Sequence, residues 1–237
     1  MNDDSIKEKV MDQLAEMQRQ LDEMKRSTAK TANEQDAVLA TETSFRRLFD
    51  TAQALAEMVE MSMPYKICHH RRVADLARAV ATEMNLSRKR VHGVYIAGVL
   101  HDLGMISIDS SLHNKPVRFT AEEFERMKMH VQAGYDYLKR VDFPWPVARM
   151  VMEHHERMNG SGYPNGLTGE KLLLESKILA VADVVNAIAS DRPYRPALGV
   201  DTALYDIAGE RGSVYDKDVV DACLLLFNEK GYKLLED

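Results

Sequence analysis

Ala97-Gly98-Val99-Leu100-His101-Asp102-Leu103-Gly104 is the stretch from which the rest of the chain is best read. Small and apolar residues run into an adjacent histidine and aspartate, and a glycine follows, so the stretch has the form of a buried helix end that delivers two polar side chains. Val91, Val94, Ala97 and Leu100 carry the apolar spacing back through that helix, and Ser87 stands where its cap belongs. An imidazole nitrogen beside a carboxylate suits a divalent transition metal. The carboxylate has two oxygens, so it can bridge two ions while the histidine holds one.

Outward from this stretch the pattern stays helical. Val73, Leu76, Ala77, Val80 and Ala81 form one face before it, closed by Asn85-Leu86-Ser87. After it, Thr120-Ala121-Glu122-Glu123 has the form of a capping box opening a helix with Phe124, Met127, His130 and Val131. Phe143-Pro-Trp-Pro146 reads as a turn, with Trp145 a packing residue, and a helix from Val147 reaches Glu153-His154-His155-Glu156. Residues 159–169 hold too much glycine and proline for regular structure. Leu172 to Ser190 reads as a helix with Asp183 inside it, and two more helices are expected near 200–210 and 216–229. No alternating strand pattern of useful length occurs, so the fold class is all-α.

Residues 1–62 read as a separate N-terminal helical arm and 63–237 as the main domain. Val10, Leu14, Met17, Leu21 and Met24 step by four and three, the seam of a coiled coil. The seam reads first as a dimerising helix, giving a homodimer; a helix laid on its own domain is the alternative. Residues 27–36 are small and polar, so a break is expected there, followed by a second helix capped by Thr43 or Ser44.

The 237 residues are 45% hydrophobic and 29% charged, enough apolar material for one large core. A net charge of −6 argues against DNA or RNA as a partner, which would require a basic face. Cys68 and Cys223 form no CxxC, which fits a reducing compartment. The acidic, polar start resembles no export signal, and no run approaches the ~18 apolar residues of a membrane span. A cytoplasmic location is expected.

The chemistry lies in the histidines. His69, His101, His130, His154 and His155 sit at the ends or inner faces of different helices, and Asp102 and Asp183 do likewise. Asp183 interrupts the apolar run KILAVADVVNAIA, and a carboxylate there is costly unless paired or bound to metal. Adjacent helical residues point about 100° apart. His154-His155 and His101-Asp102 can therefore share a centre only at distorted helix ends, which the glycines just beyond each pair supply. The simplest assembly is two divalent ions with Asp102 between them. One takes His69, His101 and Asp183; the other takes His130, His154 and His155. Nitrogen and oxygen donors without thiolate fit Fe, Mn, Ni or Zn, and HExxH is absent. Two such ions make a phosphoester hydrolase, with His101-Asp102 at its catalytic heart.

His101-Asp102, His130, His154-His155-Glu156 and Gly162-Tyr163-Pro164 together resemble the HD-GYP domain, a branch of the HD phosphohydrolases. The resemblance runs from about Pro64 to Phe227. It implies an HD-type helical bundle in a bacterial signalling protein that hydrolyses cyclic di-GMP to pGpG, in some members onward to GMP, or acts on cyclic GMP-AMP. It implies iron or manganese at the centre and the same seven ligands. It also implies that Arg192 and Arg195 of the RPYR loop approach the ligand's phosphates or guanines, where arginine's planar fork suits both. Tyr163 is expected to shape the pocket and Glu156 to hold a ligand histidine.

The sequence departs from the family in places. Met105 stands where HDxGK members have a lysine, so a domain that binds without efficient turnover is the alternative reading. Tyr65 stands where three-metal members have a glutamate, which predicts two metals. Cys68 replaces a frequent glycine and Asn159 a frequent aspartate, while His70, His92 and His113 match no ligand position.

Overall fold

The structure is a computed structural model that describes residues 3–30, 34–61, 63 and 68–235. Among the described residues the regular elements are helices: α1 (Asp3–Lys30), α2 (Glu34–Glu60), α3 (His69–Glu83), α4 (Arg88–Leu100), α5 (Ser110–His113), α6 (Ala121–Leu138), α7 (Val147–Glu153), α8 (Leu174–Ala189), α9 (Val200–Gly209) and α10 (Lys217–Asn228). The expected all-α class holds. No helix is long and apolar enough to cross a membrane.

α3 and α4 form the centre, with α8 and α10 against α3, α7 and α8 against α4, and α9 against α8. Beyond its exposed first turn, Arg88-Lys89-Arg90, α4 is apolar on nearly every side, which suits a helix end covered all round. Ser87 caps α4 by accepting from the Arg90 amide, and Thr120 and Glu123 complete the reciprocal capping box of α6. Trp145 is buried against Phe45, with ring centroids 5.4 Å apart, and packs as expected.

The arm differs from its reading. α2 already begins at Glu34, so Thr43 lies inside the helix rather than capping it. Val10, Leu14, Met17 and Leu21 are buried in the single chain, where α1 packs on α2. α2 in turn packs on α4. The heptad spacing is thus satisfied by an intrachain helix pair, as in the alternative reading of the seam. Gln20 Nε2 donates to Thr51 Oγ1 at 2.9 Å across the pair.

Two details of the fold set the site. α4 stops at Leu100, His101 is its C-cap, and Asp102 leads into a 3-10 turn, Leu103–Ser107. That turn lies on α6: a Cβ on Gly104 would collide with the carbonyl oxygen of His130 and the amide nitrogen of Gly134. Only glycine allows this approach, and it brings Asp102 beside His130. At the other end, α2 is clamped to α3. The buried carboxylate of Glu60 accepts from the amides of Cys68 at 3.2 Å and His70 at 3.0 Å, and lies 2.7 Å from His70 Nδ1. It caps a helix whose own N-cap, Cys68, makes no side-chain cap. Cys68 has a left-handed backbone (φ 58°), a conformation a glycine takes without strain.

Candidate metal centre

Three helix ends and two helix interiors converge on one buried point. His69 opens α3, His101 ends α4, and His154 caps the end of α7 with His155 next to it. His130 and Asp183 project from inside α6 and α8. Both adjacent pairs therefore sit where the helix gives way, which resolves the 100° problem. The His154 and His155 rings lie 4.0 Å apart at 39°.

The donor atoms gather into three overlapping groups, His101 with Asp102 and His154 beside the two expected ones, His69 with His101 and Asp183, and His130 with His154 and His155, the three atoms of each group within 4.8 Å of one another. Asp102 lies between the two expected groups. Its Oδ2 is 3.6 Å from His69 Nε2 and 3.5 Å from His101 Nε2, while its Oδ1 is 3.4 Å from His130 Nε2. Asp183 also spans: Oδ1 is 3.5 Å from His69 Nε2, and Oδ2 is 3.9 Å from His155 Nδ1.

Ring orientation is fixed from behind. Nδ1 of His101, His130 and His154 faces the carbonyl oxygen three residues earlier, Gly98 at 2.7 Å, Met127 at 2.7 Å and Val151 at 2.6 Å. A carbonyl only accepts, so each Nδ1 carries the proton and each Nε2 lone pair faces inward. His69 Nδ1 instead meets the fully buried side-chain amide of Asn186, at 2.5 Å.

Electrostatics follow from burial and crowding. Burial and the neighbouring His101 and His130 pull His154 down to about 3, and His155 falls well below the ordinary value for burial and His154 beside it. Both are neutral donors at pH 7. Burial also pulls on His101, but the charges of Asp102 and Asp183 outweigh it and raise its pKa. Burial pushes Asp183 up, and His101 and His69 more than reverse it, so it stays ionised. The residues fit a divalent centre. His154 Nε2 is buried with no hydrogen-bond partner among the described residues, an arrangement that is costly until a cation takes the lone pair.

A cleft of about 220 Å³ opens onto this point, lined by Asp102, Met105, His130, His155, Tyr163 and Arg192 among others. The Tyr163 ring lies over His155 with centroids 4.7 Å apart at 30°. Gly162 makes this possible, because a Cβ there would strike the backbone of His155, Glu156 and Arg157. The bond from Tyr163 to Pro164 is cis.

Two expectations need correcting. Arg195 does not reach the cleft: its guanidinium donates to the carbonyls of Ala187 at 2.8 Å, Pro196 at 2.9 Å and Ile188 at 3.3 Å, closing the C-terminal end of α8. Glu156 holds no histidine. It accepts from the amides of Asn165 at 2.7 Å and Leu167 at 2.9 Å, and so shapes the glycine-rich loop. His70, expected to be structural or exposed rather than a ligand, is buried as the partner of Glu60. Tyr65 lies outside the described residues. Asn186 escaped the sequence reading, although a polar residue in the run VVNAIA was the available signal.

A family profile described as HD domain matches residues 53–219. The cyclic di-GMP phosphodiesterase response regulator RpfG of Xanthomonas campestris is 38% identical over 177 residues, 74% of this chain and 47% of that protein. A cyclic di-GMP phosphodiesterase of Thermotoga maritima is 36% identical over 184 residues, 77% of this chain and 50% of that one. The chain thus spans about half the length of these curated relatives. The solved structure of a cyclic GMP-AMP specific phosphodiesterase from V. cholerae shares the fold, with a TM-score of 0.59 at 18% identity, over 77% of this chain and 49% of that one. The chain belongs to the HD domain family, and the Gly162-Tyr163-Pro164 loop set against His155 gives it the form of the HD-GYP branch that its sequence resembles.

Proposed function

We propose that this chain is a metal-dependent cyclic dinucleotide phosphodiesterase acting in the bacterial cytoplasm, with cyclic di-GMP as substrate and pGpG or GMP as product. The observation that carries the reading is Asp102, whose two oxygens face different histidine groups. One ion would be held by His69, His101 and Asp183 and a second by His130, His154 and His155, with Asp102 shared; Fe or Mn suits these donors best, and Ni or Zn is compatible. Such ions supply Lewis acidity and a water acidified to react at neutral pH. The chain's own residues do the rest. Backbone carbonyls at Nδ1 keep the His101, His130 and His154 rings aimed inward. Burial of His101 and Asp102 keeps bulk water from the imidazole lone pair and the carboxylate. Arg192, on the cleft wall, offers a planar pair of donors to a phosphate. Tyr163 walls the cleft beside His155.

The test is anaerobic loading with Fe(II) or Mn(II) and an assay of cyclic di-GMP against cyclic GMP-AMP. Turnover of cyclic di-GMP is expected, and His101→Ala or Asp102→Ala abolishes it; no turnover with either metal defeats the proposal. A second reading, a receptor that binds the nucleotide and barely cleaves it, is favoured by one observation. Met105 lines the cleft and brings no charge to it. Met105→Lys raises a low rate if the missing cation is the cause, and leaves it unchanged if it is not.

A further inference from the structure

We infer that Phe119 and Tyr194 form an aromatic clamp at the mouth of the cleft, which stacks one nucleobase of the substrate and accepts any base alike. The inference deepens the cyclic dinucleotide reading and takes its ligand from it. The buried lining of the cleft holds the charged groups of the centre, Asp102 and Asp183, with His130 beside them. Its outer lining is aromatic: Phe119 is half-buried and Tyr194 is 41% exposed. The two rings meet across the cleft from separate segments, with centroids 6.4 Å apart at 66°.

Both rings stand on braced backbone. Phe119 directly precedes Thr120, whose capping box fixes the chain at the start of α6. Tyr194 sits at the tip of a four-residue turn. The Arg192 amide donates to the Arg195 carbonyl at 2.8 Å, and the Arg195 amide to the Arg192 carbonyl at 3.0 Å. The Arg195 guanidinium ties that turn to the Ala187 carbonyl of α8 at 2.8 Å, and Asp191 accepts from the Ala197 amide at 2.7 Å. Arg192, two residues before the ring, brings a cation to the same cleft. A ligand that matches this lining carries an anion toward the centre and a flat apolar ring toward the mouth. A nucleotide has that form. A base laid against one ring meets the other at a tilt, an arrangement aromatic rings favour. The cleft of about 220 Å³ is smaller than the roughly 300–1,000 Å³ that encloses a whole drug-sized ligand. One nucleotide half therefore enters, and the clamp takes its base while the second base stays outside. Every base has a π-face, so stacking tolerates any of them. The clamp thus selects a nucleotide over a bare sugar phosphate, and leaves the choice between cyclic di-GMP and cyclic GMP-AMP to other contacts.

The test is calorimetry on the Mn(II)-loaded full chain with GMP, AMP and ribose 5-phosphate, the last lacking a base. Wild type is expected to bind both nucleotides more tightly than the sugar phosphate. Phe119→Ala and Tyr194→Ala each weaken GMP and AMP by about 5- to 150-fold. Ribose 5-phosphate binds these variants as it binds wild type, which shows that the centre is intact in them, and Tyr194→Phe keeps the wild-type affinities. The fluorescence of 2-aminopurine riboside 5′-monophosphate gives a direct sign of stacking: it is quenched on wild type and recovers on Tyr194→Ala. Equal wild-type affinity for GMP and ribose 5-phosphate overturns the inference. So do alanine variants that keep their GMP affinity, that lose GMP but not AMP, or that weaken all three probes alike. A wild-type chain that shows the expected binding but cleaves no cyclic dinucleotide overturns the proposed turnover and leaves the clamp standing. A chain that binds none of the probes overturns both.

Discussion

Arg192 and Arg195 stand three residues apart in one loop and do different work. Arg192 lines the cleft, with a single long contact from Nε to the Ala187 carbonyl at 3.4 Å. Arg195 spends its guanidinium on the Ala187 and Ile188 carbonyls at the end of α8 and on the Pro196 carbonyl of its own loop. Arg192→Ala should therefore raise KM for the cyclic dinucleotide severalfold while leaving the melting temperature nearly unchanged. Arg195→Ala should do the reverse, costing about 0.5–1.5 kcal/mol of stability from the hydrogen bonds lost beside the end of α8. Steady-state kinetics and thermal melts of the two variants separate the roles; a larger KM effect at Arg195 contradicts the assignment. The sequence could not make this distinction, because arginine serves phosphates and helix ends with the same fork. The inward histidines and aspartates were legible for the opposite reason. A histidine in an apolar helix has few uses, and five of them with two carboxylates have fewer. Asn186 was not legible, since one buried amide has too many structural explanations.

Helix ends place the centre, and they connect it to the arm. His69 opens α3, and His101 and His154 are the C-caps of α4 and α7, so each moves with the docking of its helix. The caps written with Ser87, Thr120 and Glu123 were readable because the capping residue lies within three positions of the amide it serves. The cap of α3 was not, since its acceptor, Glu60, comes from another helix across an intervening loop. Glu60 has its pKa lowered: burial pushes it up, but the hydrogen bonds and charge of His70, and the Cys68 amide, outweigh that. A lowered carboxyl pKa means the unfolded chain binds more protons in acid. The stabilisation is therefore present above the ordinary value of 4.5 and is lost as pH falls through the folded value. Glu60→Gln keeps the shape and removes the charge, so it should cost about 1.5–3 kcal/mol at pH 7 and flatten the decline in melting temperature below pH 4.5. Melts of metal-free wild type and variant from pH 3.5 to about 7 check this; parallel curves would mean the clamp is not ionic.

At the scale of the whole molecule, the arm is part of the hydrophobic core rather than an appendage to it. Its seam joins α1 to α2, α2 packs on α4, and one contiguous cluster of buried apolar residues runs from Ile6 to Leu226. Four-three spacing shows that a helix has a covered face, and an intrachain neighbour fits that face as well as a second chain does. The periodicity therefore located the helix correctly and left its partner open. Leu21, 1% exposed in the seam, distinguishes the cases. If the seam is intrachain, Leu21→Ala leaves a cavity beside α2 and costs about 2–5 kcal/mol. The melting temperature then falls, stays independent of protein concentration, and the mass by light scattering does not change. If the seam instead joins two chains, the same variant lowers the mass, and wild-type melting temperature rises with concentration, because association stabilises by mass action. The buried positions of Val10, Leu14, Met17 and Leu21 within one chain make the first outcome the expected one.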